Sequence, residues 1–588
     1  MIYNHERDIM KIYKGIGTLV ITLGMLICCI TACTEKKEPV QHSQKVSKDT
    51  QLYFGGDILT MEGDSPNYAE ALVVNNGTIS YVGSIAEAKK QFATAQPIDL
   101  ASKTMLPGLI DGHAHFSAFS LQAIGAQLLP PPDGGSKDIP TLINTLKEWN
   151  TPENRALTGW VFGIGFDDSV LAEQRFPTKH DLDKVSTEFP VMVIHISGHF
   201  AVVNSKGLEV IGYNATTEDP EGGIIRREKN NEPNGVLEEL AAIPHLVKIT
   251  TPSTKEAEQK FFQAGQEMAL SYGYTTAQDG RTMQATHDML AAAATKGDLK
   301  LDVVSYIDYS QADDIMSTDW HSKTYNNHYR VGGMKVTLDG SPQGRTAWRT
   351  TPYLLPPEGQ APDYKGYPAI PNDNDLLAIY EKGFKNNWQI LSHTNGDAAA
   401  DQLIRTMRVL EDKYSFENRR DVIIHGQYIR EDQLDDAKAL NLIVSLFPLH
   451  TFYWGDWHKQ LIGDILGNKI SPTRTALNKG VKITIHTDAP VALPNLMRMV
   501  GISVERKSRS GQIIGEDEKI TVYEALQAIT SWSAYQHFEE NTKGTLEVGK
   551  LADLVILDHN PLKILPSEVK NIQVLQTIKE GVSVYQKH

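Results

Sequence analysis

Two histidines close the stretch Thr104-Met-Leu-Pro-Gly-Leu-Ile-Asp-Gly-His-Ala-His115. The apolar run before them reads as a buried strand, and side chains two apart on a strand point the same way, so His113 and His115 are expected to face one point. Neutral imidazole is the commonest side-chain metal ligand, and such a pair at the carboxyl end of a strand is half of a metal site. A lone His-x-His is equally an ordinary pair of strand histidines; recurrence separates the two readings. Further apolar runs end in His393, His425 and Asp488, and another contains Lys335. All three cysteines, Cys28, Cys29 and Cys33, lie near the amino terminus, so neither a disulfide framework nor a thiolate metal site is available to the rest of the chain. Four imidazoles and a carboxylate at strand ends point to a catalytic zinc-type site.

Those ends need a scaffold that gathers them. Short strand candidates alternate with helix-period stretches such as Lys255 to Tyr272 and Asn374 to Asn387, the pattern of a parallel sheet. The strand candidates are Met105 to His115, Thr275 to Asp279, Leu301 to Tyr306, Val331 to Asp339, Trp388 to His393, Val422 to His425, Leu442 to Leu446, and Val481 to Asp488. They predict an α/β fold, a (β/α)8 TIM barrel over 108–535, with catalytic groups at the carboxyl ends of its strands. The stretch 117–254 between the first two strands is too long for a plain loop and is expected to form an inserted subdomain beside the barrel mouth. It holds Asp167-Asp168, the strand-like Val191 to His195, and Ser197-Gly-His199. Strand-rich runs at both ends, 49–107 with the hairpin signal Asn76-Gly77, and 536–588, are expected to meet in one small β-sandwich domain.

The formal net charge of −15 leaves no basic stripe to neutralise phosphates, which argues against nucleic acid. The amino terminus is different in kind: Lys11 and Lys14 precede an apolar run from Ile16 to Ile30, then Thr31-Ala32-Cys33. Residues 1–33 read as a lipoprotein signal peptide with Cys33 as the lipidated residue; Cys29 is a second candidate, and an uncleaved membrane anchor the other reading. The polar stretch 34–48 reads as a tether. The expectation is a body outside the cytoplasmic membrane, lipid-anchored in the cell envelope, and at the outer membrane in a Gram-negative cell because Thr34 is not an aspartate.

The motifs Met105 to His115, Lys335-Val-Thr-Leu-Asp-Gly-Ser341, His393-Thr-Asn-Gly-Asp-Ala398, His425-Gly-Gln-Tyr-Ile429, His486-Thr-Asp-Ala-Pro490 and Gly549-Lys-Leu-Ala-Asp-Leu-Val555, in this order, resemble the amidohydrolase superfamily. The resemblance is to its amidohydrolase-3 branch, which includes N-substituted formamide deformylase-like and YtcJ-like proteins, and it covers essentially everything after the tether. It implies one or two divalent metals, usually zinc. His113, His115 and Asp488 would hold one ion and His393 and His425 the other, bridged by Lys335 as an N-carboxylated lysine. An ammonium is no ligand, whereas its carbamate is an anionic two-oxygen bridge; an unmodified Lys335 would leave a single-metal site.

The expected reaction is hydrolysis of a non-peptide carbon–nitrogen bond in a small-molecule amide or formamide. A metal lowers the pKa of its water towards about 7, giving a hydroxide that attacks the carbonyl. Asp488 is the candidate general base, and His199 or His393 the candidate donor to the tetrahedral intermediate. Alternatives are a single-metal deaminase and a non-catalytic ligand-binding lipoprotein, and the chain is a possible homodimer. Asp339, on the strand face of Lys335, is expected to support the ligands. Asp167-Asp168 caps a turn or touches substrate, and the aromatic run Phe452 to Trp457 lines a pocket or packs a loop.

Overall fold

The computed structural model describes residues 50–587 apart from 221, 251 and 358. The signal segment, Cys33 and the tether lie outside the described residues, and among those described no helix is long and apolar enough to cross a membrane.

Eight parallel strands form the centre: β1 (Leu109–Ile110), β2 (Tyr274–Thr282), β3 (Asp302–Asp308), β4 (Tyr329–Thr337), β5 (Gln389–Thr394), β6 (Val422–His425), β7 (Ile443–Leu446) and β8 (Ile483–Ile485), hydrogen-bonded in that order. Both faces are covered, and nearly every residue of the eight strands is buried, polar ones included. Val304, Tyr306, Leu391, Val422, Ile424 and Ile443 pack together on one side. Their neighbours Val303, Ile307, Ile390, Ile423 and Val444 join the large cluster built with the helices. Beyond the last ladder bonds the first and eighth strands are joined by Asp488 N–H to His113 O, 3.1 Å, and His115 N–H to Ala489 O, 2.9 Å. The buried Asp111 carboxylate adds a latch, accepting from Thr487 N–H at 3.1 Å and from the Tyr274 hydroxyl at 2.7 Å. This is a TIM barrel.

The first strand differs from the single run expected over Met105 to His115. Thr104–Pro107 pairs with Leu554–Leu557 in a different sheet, and only Leu109–Ile110 enters the barrel. The chain changes sheets at Gly108, where a Cβ would stand 2.2 Å from the Thr275 side chain. His113 and His115 therefore lie past the strand, not on it, and strand alternation is not what aims them.

The other sheet combines both ends of the described chain: Gln51–Leu59, Tyr68–Asn75, Thr78–Gly83, Gln96–Asp99 and Thr104–Pro107 join Leu554–Leu557, Val574–Lys579 and Val582–Gln586. Asn76 and Gly77, both at positive φ, make the tight turn between two of these strands. Between β1 and β2 the insertion carries its own six-stranded sheet, running from Ala126–Gln127 to Pro233–Glu239. Its cores are separate from the barrel's, with Leu142, Val161, Val191 and Val202 in one and Met192, Ala201 and Leu237 in another.

Candidate active site

The mouth is assembled from the carboxyl ends of the strands. Lys335 on β4 and His393 on β5 alternate with the outward Met334 and Ile390 and so point inward. His425 has the parity of the outward Ile423; it ends β6 at φ +76°, out of the extended conformation, and its ring stands among the others. Asp488 follows β8 at φ +53°. Such conformations in non-glycine residues cost about 1–3 kcal/mol and persist where the surroundings over-determine them.

Ring-to-ring distances give the compactness of the cluster: His113–His115 5.0 Å, His113–His425 5.7 Å and His393–His425 4.6 Å. Ligand atoms of His113, His425 and Asp488 all lie within 4.8 Å of one another. Asp488 Oδ1 is 3.5 Å from His113 Nε2 and 3.3 Å from His115 Nε2.

Each ring is held from behind. His113 Nδ1 bonds the Gln278 side-chain oxygen, and His115 Nδ1 bonds the carbonyl of Gly280, so both rings present Nε2 to the centre. Gly280 has to be glycine, since a Cβ there would sit 2.2 Å from His113 Cε1. His486 Nε2 engages His425 Nδ1 at 3.1 Å and is itself fixed by Ser445 Oγ at 2.9 Å. His393 Nδ1 is buried without a hydrogen-bond partner among the described residues and lies 3.3 Å from Asp339 Oδ1. Asp339 accepts the N–H groups of Trp348, Asn395 and Gly396 at 2.7–3.0 Å, tying three segments together behind that ring.

The electrostatics follow from burial. His113, His393, His425 and His486 are pushed well below the ordinary imidazole value, first by desolvation and then because a charge on any one would meet Lys335 and the other rings, so they are neutral lone-pair donors at physiological pH. Burial brings Lys335 down to about 7 against the pull of Asp488; its Nζ stands 2.9 Å from His113 Nε2. Burial also raises Asp339 to about 7 despite its backbone donors.

His199 is contributed by the insertion, 6.1 Å ring to ring from His393. Burial opposes its charge, but Glu239, bonded to Nδ1 at 2.8 Å, lifts it above the ordinary imidazole value. Every site residue expected from the sequence thus stands at this one mouth.

Three contributors were not anticipated. His486 lies inside the motif His486 to Pro490, and a histidine at the end of an apolar strand two residues before Asp488 was the available signal. Gln278 and Gly280 carried no signal, because their role is only to orient rings. Of the side chains with two readings, Asp167 caps its turn through Ser169 and also accepts from Trp454 Nε1 at 2.9 Å, while Asp168 bonds His195 Nε2 at 3.1 Å. The aromatic run forms helices Leu449–Tyr453 and Gly455–Ile462 that pack against the barrel, with Trp454 fully buried.

Residues 96–585 match the model of the amidohydrolase family. YtcJ of Bacillus subtilis, whose name assigns it to the amidohydrolases, is 26% identical over 91% of this chain and 99% of its own. The N-substituted formamide deformylase of Arthrobacter pascens is 25% identical over 88% and 95%. A metal-dependent hydrolase of Pyrococcus horikoshii superposes with a TM-score of 0.70 at 22% identity, over 92% of this chain and all of its own. At that identity the likeness establishes the fold.

Proposed function

We propose, from the premise that the chain belongs to the amidohydrolase family, that this metal-dependent hydrolase cleaves the carbon–nitrogen bond of a small amide or formamide. The observation that carries the reading is the convergence of donor atoms from His113, His425 and Asp488, three residues far apart in sequence, within 4.8 Å. The name of the Arthrobacter relative supports the choice of bond.

The residues fit a divalent metal. The neutral buried imidazoles of His113, His425 and His393, the last with an orphaned Nδ1, and the adjacent Asp488 are a nitrogen–oxygen donor set of the zinc type. In our reading His113, His115 and Asp488 would hold one ion, and His393 and His425 a second. Lys335 would join them as a carbamate: with its pKa near 7, a large share is free amine at neutral pH, the form that adds carbon dioxide with release of a proton. When bound, the metal supplies Lewis acidity toward a carbonyl and acidifies water.

The chain's own groups do the rest. Asp488 takes the proton of the attacking water and returns it to the leaving nitrogen, a role worth about 10²–10⁴-fold. His199, kept protonated more readily by Glu239, donates toward the oxygen on which charge develops. Gln278 and the Gly280 carbonyl keep the paired rings in register.

The alternative reading is a single-ion deaminase, in which Lys335 stays a free amine beside His113 and bridges nothing. A panel of N-formyl amines, N-acyl amines, cyclic amides and aminopurines assayed with wild type and Asp488→Asn decides between them. Turnover of amides that is lost in the variant supports the proposal; turnover of aminopurines alone replaces it with the deaminase.

A further inference from the structure

Beside the metal-ligand cluster a cleft of about 290 Å³ opens between the insertion and the mouth. Its walls are largely apolar, with Ala118, Leu121, Ile164, Ile194, Ile196 and Val491 among them, and His115 and His199 reach it from the site. One guanidinium lines it, that of Arg281, and no aspartate or glutamate is among the described residues that line it. In a chain of net charge −15 that local balance is a departure from the whole.

Arg281 is held for display. Its Nε bonds Asp308 Oδ2 at 3.0 Å, and the two terminal nitrogens have no partner among the described residues. More than a third of the side chain is exposed, at 38%. Its backbone sits at φ +71°, a conformation disfavoured for any non-glycine residue and retained where structure imposes it. It directly follows Gly280, whose carbonyl fixes His115, so its backbone is joined to the ligand cluster by one peptide unit.

A guanidinium with its terminal nitrogens free matches a carboxylate in a two-bond fork. We propose that Arg281 selects a substrate bearing a carboxylate close to the scissile amide, the remainder of the substrate being apolar: an N-acylated or N-formylated hydrophobic amino acid. This rests on the amide-hydrolase reading above and adds to it the class of amide. Asp308 holds Arg281 in place by its Nε, and the apolar walls take the side chain of the substrate.

The test compares N-formylphenylalanine with N-formylphenethylamine, which differ by the carboxylate alone, in wild type, Arg281→Gln and Arg281→Lys. The wild type is expected to prefer the acid. In Arg281→Gln the ratio of kcat/KM for acid over neutral compound falls at least 30-fold, chiefly through KM for the acid, with Arg281→Lys in between. An unchanged ratio, or an equal loss of kcat on both compounds, overturns the proposal, the second outcome placing Arg281 on the reacting centre instead. Should neither compound be hydrolysed, the amide reading fails on its own, and calorimetric binding of N-formylphenylalanine still judges Arg281: a tenfold or greater weakening in Arg281→Gln upholds the carboxylate site, and equal affinity removes it.

Discussion

At the amino-terminal end of β3, Asp302 is buried between Lys543, Lys579 at 2.8 Å and His328 at 2.7 Å, while Arg330 at the start of β4 bonds Glu539 at 2.7 Å. At the other end of β4, Lys335 is buried against imidazoles and is drawn down to about 7. Both ends bury cations; only the base gives each a carboxylate. There the attraction exceeds the desolvation penalty: Lys543 and Lys579 are held above the usual lysine value by Asp302 and its neighbours, and Glu539, though buried, is lowered to about 2 by Lys543 and Arg330. The base is a closed electrostatic unit that ties the carboxyl-terminal segment to the barrel. The mouth is an open one, rich in lone pairs and short of cationic charge matched to them, which is the state of a site built for a ligand. In a TIM barrel the carboxyl ends of the strands carry chemistry and the other ends carry stability, and the two charge arrangements follow that division.

The largest effect expected from breaking the contrast is at the mouth. Asp488→Asn should lower kcat by about 10²–10⁴-fold while leaving the thermal unfolding midpoint nearly unmoved. A comparable loss of stability would put Asp488 in the structural class with Asp302.

At the base the reverse holds. Asp302→Ala leaves Lys543 and Lys579 buried without their shared partner and should destabilise by about 3–5 kcal/mol, read by denaturant unfolding. Metal content per folded chain should not change. A variant as stable as the wild type would mean that the network contributes no net stability.

Acid titration sharpens the same point. Glu539 and Asp302 have folded values below the unfolded carboxylate, so their contribution is present above about pH 4 and is lost as pH falls through the folded values. Wild-type stability should therefore drop between pH 5 and 2, and in Glu539→Gln that drop should be smaller by roughly 2–3 kcal/mol. Parallel curves for the two proteins would remove Glu539 from the acid response.

The smallest effect expected is behind the ligands. His486→Ala frees the His425 ring that it orients and should weaken metal affinity by about 10–100-fold, measured by competition with a chelator. An unchanged affinity would make His486 mere packing.

Much of the mouth was legible because its residues end apolar runs: Lys335, His393, His425 and Asp488 each stand at or just after a stretch whose burial on both faces leaves a continuous hydrophobic signature. The helices over Lys255–Ser271 and Asp373–Lys385 were legible from their period. The break of the first strand at Gly108 was not, because a change of sheet depends on Thr275, distant in sequence, crowding that position. Nor was the base network visible. Asp302, Arg330, Glu539, Lys543 and Lys579 look like ordinary charged residues until the fold brings the carboxyl-terminal segment under β3 and β4. Arg281 was hidden for a similar reason, since what marks it is its place as the guanidinium in the lining of a cleft formed by two separate parts of the chain.

The direct test of the central claim is divalent-metal content per chain, measured by elemental analysis on purified wild type and on a His113→Ala, His425→Ala double variant with matched circular dichroism. The account predicts at least one ion per wild-type chain and its loss from the folded variant. Equal metal in both proteins, or a wild type that hydrolyses amides without any, would contradict it.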